Sequence, residues 1–298
     1  MRQNLAAEPA LAVAPYIVSA DIETLIRRWC ERASFVHPSP VFVRDIRTEF
    51  HGFMSGIFPS YAMLEEEDMR VAMADLAEKY NFPLVALDTL YCSSGLRLEI
   101  CRITDSSGEV AGLTNRPGAL PIPEQIKRIK ANGIREITLG DDVIFSGGLV
   151  LDIIAQLKRF DIIVKNVCAC VGIKDGIDKI AQVVEHVDCA YLYDEVIDEV
   201  CERDFYPGIP LSGRLLEGSD NVGMPYIYPF GDPVKWASIP VDKAPAFSRL
   251  CLGLTIEIFQ EIERLSKRPV LYRDVPRKVY TLAENADNTR FVELLKSV

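Results

Sequence analysis

Histidine is scarce in this sequence of 298 residues. Only His37, His51 and His186 occur, none at a metal-ligand spacing, so no zinc site is expected. The eight cysteines, at positions 30, 92, 101, 168, 170, 189, 201 and 251, include no C-x-x-C pair, and reduced thiols of a cytoplasmic protein are the expectation. No basic run is present. The 33 Lys+Arg set against 43 Asp+Glu leave a formal charge of −10, which repels phosphate backbones and speaks against nucleic acid as a partner. No apolar stretch reaches the roughly 18 residues of a membrane helix. Glu8, Pro9 and Pro15 interrupt the Ala- and Val-rich stretch 5–20 before it could act as a signal peptide. Repeats and low-complexity segments are missing too. What is present, 49% apolar and 26% charged residues, describes a folded globular chain. At about 150 residues per domain, it forms one large domain or two modest ones.

Hydrophobic spacing predicts helices over 21–32, with Asp21 as N-cap, and over 65–80, opened by an acidic turn. Pro38 and Pro40 read as stops, and Val41-Phe42-Val43 as extended. Strands are expected over 84–87 and 96–103. From residue 120 a regular rhythm follows: helix 121–131, strand 134–139, helix 147–160, strand 162–171, helix 175–186 and strand 189–193. Short buried strands alternating with helices predict an α/β fold with a parallel sheet flanked by helices. The 207–245 stretch is rich in Pro, Gly and aromatics, and helices return over 247–266 and 288–297. The expected division is an N-terminal α/β elaboration (1–82), an α/β core (83–205) and a C-terminal hood of loops and helices (206–298).

The segment Glu136-Ile137-Thr138-Leu139-Gly140-Asp141-Asp142-Val143-Ile144-Phe145-Ser146-Gly147-Gly148-Leu149 carries the chemistry. A strand ends in two carboxylates, and a loop with one hydroxyl and two glycines opens a helix. Glycines let backbone N–H groups approach an anion, and the helix start adds partial positive charge, so the loop suits one phosphate group. Adjacent carboxylates would repel that phosphate unless they bind sugar hydroxyls, a magnesium ion or both. A phosphorylated sugar satisfies both halves. The alternative is a plain strand-to-helix turn with Asp141 and Asp142 as solvated caps.

From Ile137 to Leu149 the segment resembles the signature of the type I phosphoribosyltransferases. The resemblance implies a phosphoribosyltransferase-like core sheet, with phosphoribosyl pyrophosphate (PRPP) as donor, magnesium as cofactor, and a nitrogenous base or amine as acceptor. By resemblance Asp141 and Asp142 hold the ribose hydroxyls and the metal, and Phe145, Ser146, Gly147, Gly148 and Leu149 hold the 5-phosphate. Ser146 stands in place of the usual Thr, and Leu149 where a second hydroxyl is common. The resemblance also implies a pyrophosphate loop, for which Ser93-Ser94-Gly95 with Arg97 is a candidate. The same three residues equally read as a turn joining two antiparallel strands. Residues 104–117 read either as a mobile loop closing over substrate or as a hairpin through Asp105-Ser106-Ser107-Gly108.

For the acceptor, Arg203, Asp204 and Phe205 are the candidates, Phe205 by stacking and Asp204 by accepting from ring N–H groups; a proline-stiffened connection is the other reading. Arg214 is a candidate clamp for pyrophosphate. The aromatics of 226–236 read as a lid or as core cover, and His51 as structural. Between Ala181 and Asp204 lie eight acidic side chains and one basic one, which favours a neutral or cationic acceptor. The function expected is phosphoribosyl transfer with pyrophosphate release in a protein that assembles with copies of itself. A non-catalytic sensor of a phosphosugar or nucleotide on the same fold is the alternative.

Overall fold

The computed structural model describes residues 13–92, 94–282 and 286–298. The chain opens with β1 (Tyr16–Ser19), α1 (Ile22–Ala33), α2 (Pro40–Ile57), β2 (Tyr61–Leu64) and α3 (Glu66–Glu78). It continues through β3 (Leu84–Ala86), β4 (Leu96–Arg97), β5 (Ile100–Thr104), β6 (Val110–Asn115), α4 (Ile122–Ala131), β7 (Glu136–Ile144), α5 (Gly148–Lys158), β8 (Ile163–Ile173), α6 (Lys174–Ile180) and β9 (His186–Tyr193). It closes with β10 (Asp198–Cys201), β11 (Arg214–Leu216), β12 (Val222–Met224), α7 (Pro233–Ala237), α8 (Ala244–Ser266), β13 (Lys278–Val279) and α9 (Phe291–Lys296).

The central sheet has the order β4-β3-β7-β8-β9 with every pair parallel. Its strands alternate between two apolar layers. Val167 and Ala169 of β8 pack with Ile126 and Ile129 of α4 and Ile153 and Leu157 of α5, while Cys168 and Cys170 face Met69, Met73 and Leu76 of α3. Both faces are thus covered by helices, which is why β8 reads as a continuous apolar run. The α/β class with a helix-flanked parallel sheet is the fold observed. Along this sheet the first strand in the chain, β3, lies inside the second, β4. The order reverses between β3 and β7, and in open α/β sheets ligands bind beyond the carboxyl ends of strands at such a point.

A second parallel sheet, β10-β1-β2, ties residues 198–201 to the N-terminal segment. A third and mixed one, β13-β12-β11-β5-β6, roofs the carboxyl end of the central sheet.

Several local expectations change. Val41-Phe42-Val43 is helical, because Ser39 Oγ accepts the Phe42 N–H and Pro40 occupies the first turn, where its missing N–H costs nothing. Asp21 makes no side-chain capping bond to α1. The helix expected over 175–186 stops at Ile180 in turns, and β9 starts already at His186. β4 runs parallel to β3, with Val85 beside Leu96, so the chain between them is no antiparallel hairpin turn. All eight cysteines are free.

Candidate functional site

β7 leaves the core at Gly140, where a side chain would sit 2.8 Å from the Met73 terminal methyl, and emerges with Asp141 and Asp142. Asp141 is buried and its Oδ1 accepts the Asp142 N–H at 3.0 Å; Asp142 is half-buried and its Oδ1 accepts the Val143 N–H at 2.9 Å. A third carboxylate joins them from the end of β3. Asp88 is buried, and its Oδ2 accepts the N–H groups of Leu90 at 2.8 Å, Tyr91 at 2.5 Å and Cys92 at 3.0 Å. Burial, then the neighbouring Asp142 charge, pushes the carboxyl groups of Asp141 and Asp88 above their ordinary range. Glu199 of β10 accepts the Ser19 hydroxyl at 2.6 Å, and burial lifts it to about 8.

Beyond the pair, Phe145 and Ser146 are exposed and Gly147 turns with φ of +78°. A side chain on Gly147 would meet the Gly176 carbonyl oxygen at 2.9 Å. The glycine therefore serves a left-handed turn and a backbone-to-backbone approach. α5 starts at Gly148 with no side-chain cap, which leaves the N–H groups of its first turn without intrahelical acceptors. Donors of this kind, with the Ser146 hydroxyl, suit an anion. Gly176, the other half of the close approach, was missed in the sequence. It lay inside a predicted helix, and an isolated glycine there was the one available signal.

Asp141, Asp142, Phe145, Ser146 and Leu149 all line one cavity of about 440 Å³, together with Arg203 and Asp204. Gly147 and Gly148 are not among the residues that line it. Phe205 is not at the cavity: it is fully buried between Phe50 and Phe247, so its ring stacks within the core and not on a ligand. Arg203 donates from its backbone N–H and from Nη1 to the buried Asp21 carboxylate, which explains why Asp21 does not cap α1, while its Nε has no partner. Asp204 Oδ1 accepts the Gly213 N–H at 2.8 Å and so fixes the start of the hood.

Next to them Glu202, fully buried, receives Nε and Nη2 of Arg47 at 2.9 and 2.8 Å and the Asp21 N–H at 3.1 Å. This four-residue network, built from the junction of β1 and α1, from α2 and from the 202–205 turn, had no sequence signal, since its members lie up to 182 positions apart.

Ser93 lies outside the described residues, as do residues 5–12 of the Ala- and Val-rich stretch. Ser94 Oγ donates to the Leu84 carbonyl and accepts from the Leu96 N–H, and the backbone donors of 90–92 are already taken by Asp88. Residues 104–117 form the β5–β6 hairpin. Asp105 closes its turn by accepting from Ser107 and Glu109, and the tip docks on α7 with Gly108 against Trp236 and Glu109 paired to Lys235. Tyr226 and Trp236 line the cavity, whereas Ile227 and Phe230 are core. Exposed His51 lies beside Tyr61, ring centroids 5.0 Å apart, in a groove between α2 and β2.

The cavity is not the acidic place that the sequence suggested. Of the eight acids over 181–204, only Asp198, Glu199 and Asp204 line it, and Glu185, Asp194 and Glu202 are paired with Lys165, Lys174 and Arg47 elsewhere. Facing them are Arg102, Arg116, Arg203, Arg214, Lys235 and Arg277, so the expectation of a neutral or cationic acceptor loses its electrostatic basis.

Among the described residues no group of three His, Cys, Asp or Glu side chains converges on a metal position. Magnesium, however, usually takes one or two carboxylates and completes its shell with substrate phosphate and water. The Asp142 oxygen not bonded to backbone, Oδ2, lies 4.0 Å from the Cys201 sulfur, and a single carboxylate oxygen fits that limited role.

No family model matches the chain, and no curated protein matches it. Among solved structures it is similar to the adenine phosphoribosyltransferase of Thermoanaerobacter pseudethanolicus, at 13% identity and a TM-score of 0.26, over 42% of this chain and 78% of that one. It is similar also to that of Leishmania donovani, at 14% identity and a TM-score of 0.28, over 62% and 86%. Among the described residues no helix is long and apolar enough to cross a membrane.

Proposed function

We propose that the protein transfers a phosphoribosyl group from PRPP to a nitrogen nucleophile and releases pyrophosphate. One observation carries the reading. The acidic pair and Ser146, read as part of a phosphosugar motif in the sequence, line one roofed cavity beside the strand-order reversal of a parallel sheet, and the Gly147-Gly148 turn follows directly on them. In this scheme the N–H groups opening α5 and the Ser146 hydroxyl hold the 5-phosphate. Asp142, with Asp141 behind it, accepts the ribose hydroxyls. The C1–O bond to pyrophosphate breaks as the acceptor nitrogen approaches C1, through an oxocarbenium-like state of the kind met in glycoside cleavage. The chain's part is to position the sugar and to place fixed charge around the flattening ring. Asp142 would hold magnesium, whose positive charge would neutralise the departing pyrophosphate.

A second reading is a sensor that binds the same ligand without turnover. Two features favour it: Leu149 stands where a second hydroxyl is common, and Asp88 fills the backbone donors of the 90–92 turn. Titration calorimetry with PRPP, with and without magnesium, tests the shared premise, and no binding overturns both readings. Pyrophosphate release across a panel of bases and amines separates them, since only the enzyme produces it.

A further inference from the structure

The roof of the cavity holds more positive charge than its acids balance. Arg102 of β5 and Arg214 of β11 stand one step before the pair Ile103 and Leu215, side by side on parallel strands, a like-charge placement that weakens a sheet unless something intervenes. Among the described residues neither forms an ion pair. The guanidinium of Arg214 is held over the rings of Trp236, at 4.7 Å, and Tyr226, at 5.6 Å.

Arg277 is 4% exposed, yet its hydrogen bonds go to neutral acceptors only: the Ser212 carbonyl at 3.2 Å, Asn221 Oδ1 at 2.8 Å and the Gly213 carbonyl at 3.3 Å. A buried charge without an ionic partner is costly, and burial draws this guanidinium down to about 10. Asp204 is the acid that acts on both Arg214 and Arg277, and it is a single carboxylate. Finally, Trp236 is 7% exposed and its indole N–H has no acceptor. Three guanidinium groups line the same cavity wall, Arg214 and Arg277 bonded to neutral acceptors only and none of the three in an ion pair among the described residues, together with one indole N–H that has no acceptor.

We propose that Arg102, Arg214, Arg277 and the Trp236 indole N–H form a second oxyanion subsite in the roof of the cavity, distinct from the 145–149 loop. Its ligand is a carboxylate or phosphate-type group, the chemistry that arginine forks recognise best. Two sources supply it: the diphosphate of the sugar donor, or an acid group on the acceptor. The subsite rests on the reading of this cavity as the ligand site and does not require that phosphoribosyl transfer take place there.

The test is calorimetry on the full chain with magnesium pyrophosphate and, separately, with pyridine-3-carboxylate, each without sugar. At least one of them should bind, and the tighter identifies the source. Arg102→Gln should weaken it about tenfold and Trp236→Phe severalfold. Arg102 is exposed and its side chain makes no hydrogen bond among the described residues, so its replacement leaves the fold intact, whereas Arg277→Met also removes three bonds that hold the 212–221 region. Failure of both anions to bind, or unchanged affinity in Arg102→Gln and Trp236→Phe, overturns the subsite. Ribose 5-phosphate in the same series reports on the loop alone. If it fails to bind while the anions do, the phosphoribosyl reading falls and the subsite stands.

Discussion

The proposed phosphosugar site turns on single side chains at and just beyond the carboxyl end of β7. Ser146 offers the loop's only hydroxyl, and a hydrogen bond to a charged phosphate is worth about 1.5–3 kcal/mol. Ser146→Ala should therefore weaken ribose 5-phosphate by roughly ten- to a hundredfold, read by calorimetry, with the melting temperature unchanged. Glu199 gives a prediction about pH. Its carboxyl titrates near 8 in the fold, from an ordinary 4.5, because burial disfavours the charged form. The folded state thus holds the proton more tightly than the unfolded chain. The resulting stability is complete below about pH 4 and is lost as pH rises towards 8. Glu199→Gln should flatten that decline: relative to wild type the variant gains melting temperature at pH 8.5 over pH 5, and parallel pH curves would contradict the assignment.

At the scale of the element, the turn from β7 into α5 depends on backbone approach more than on side chains. With φ at +78° and the Gly176 carbonyl 2.9 Å from its missing Cβ, Gly147→Val must strain the turn or push α6 away. The expected cost is about 1–3 kcal/mol, measured by urea unfolding, so loss of ligand binding in that variant would reflect the fold as much as the site. The same element shows what was legible in the sequence. The β7–α5 motif was readable because strand, carboxylates, glycines and helix follow one another within fourteen residues. α2 was misread because prolines at 38 and 40 look like stops, although Ser39 followed by Pro40 is a helix start. Gly176, Asp88 and Glu202 could not be assigned, because each acquires its role from a partner supplied by folding: the Gly147 turn, the amides of 90–92, and Arg47.

For the molecule as a whole, the sheet of β10, β1 and β2 joins residues 16–19 to those around 200, and the pair of half-buried Arg47 and fully buried Glu202 sits at its carboxyl edge. Removing one member leaves a charge buried without its partner, at a cost of about 3–5 kcal/mol. Arg47→Met should accordingly lower stability to urea by that amount, and the double variant Arg47→Met/Glu202→Gln should recover part of it. Additive losses would show that the pair acts independently. The network leads through Asp21 and Arg203 to the cavity wall, so the N-terminal segment helps to hold the site in place. Such pairs are neutral as units and take up none of the −10 net charge, and the cavity carries both signs.

The central claim is that Asp142 and the loop behind it bind the sugar of PRPP with magnesium. Calorimetry of PRPP against wild type and Asp142→Asn, with magnesium present and then removed by chelation, tests it most directly. Saturable binding that weakens at least tenfold in Asp142→Asn and again on chelation is the predicted result; no binding, or equal affinity in all four titrations, would contradict it.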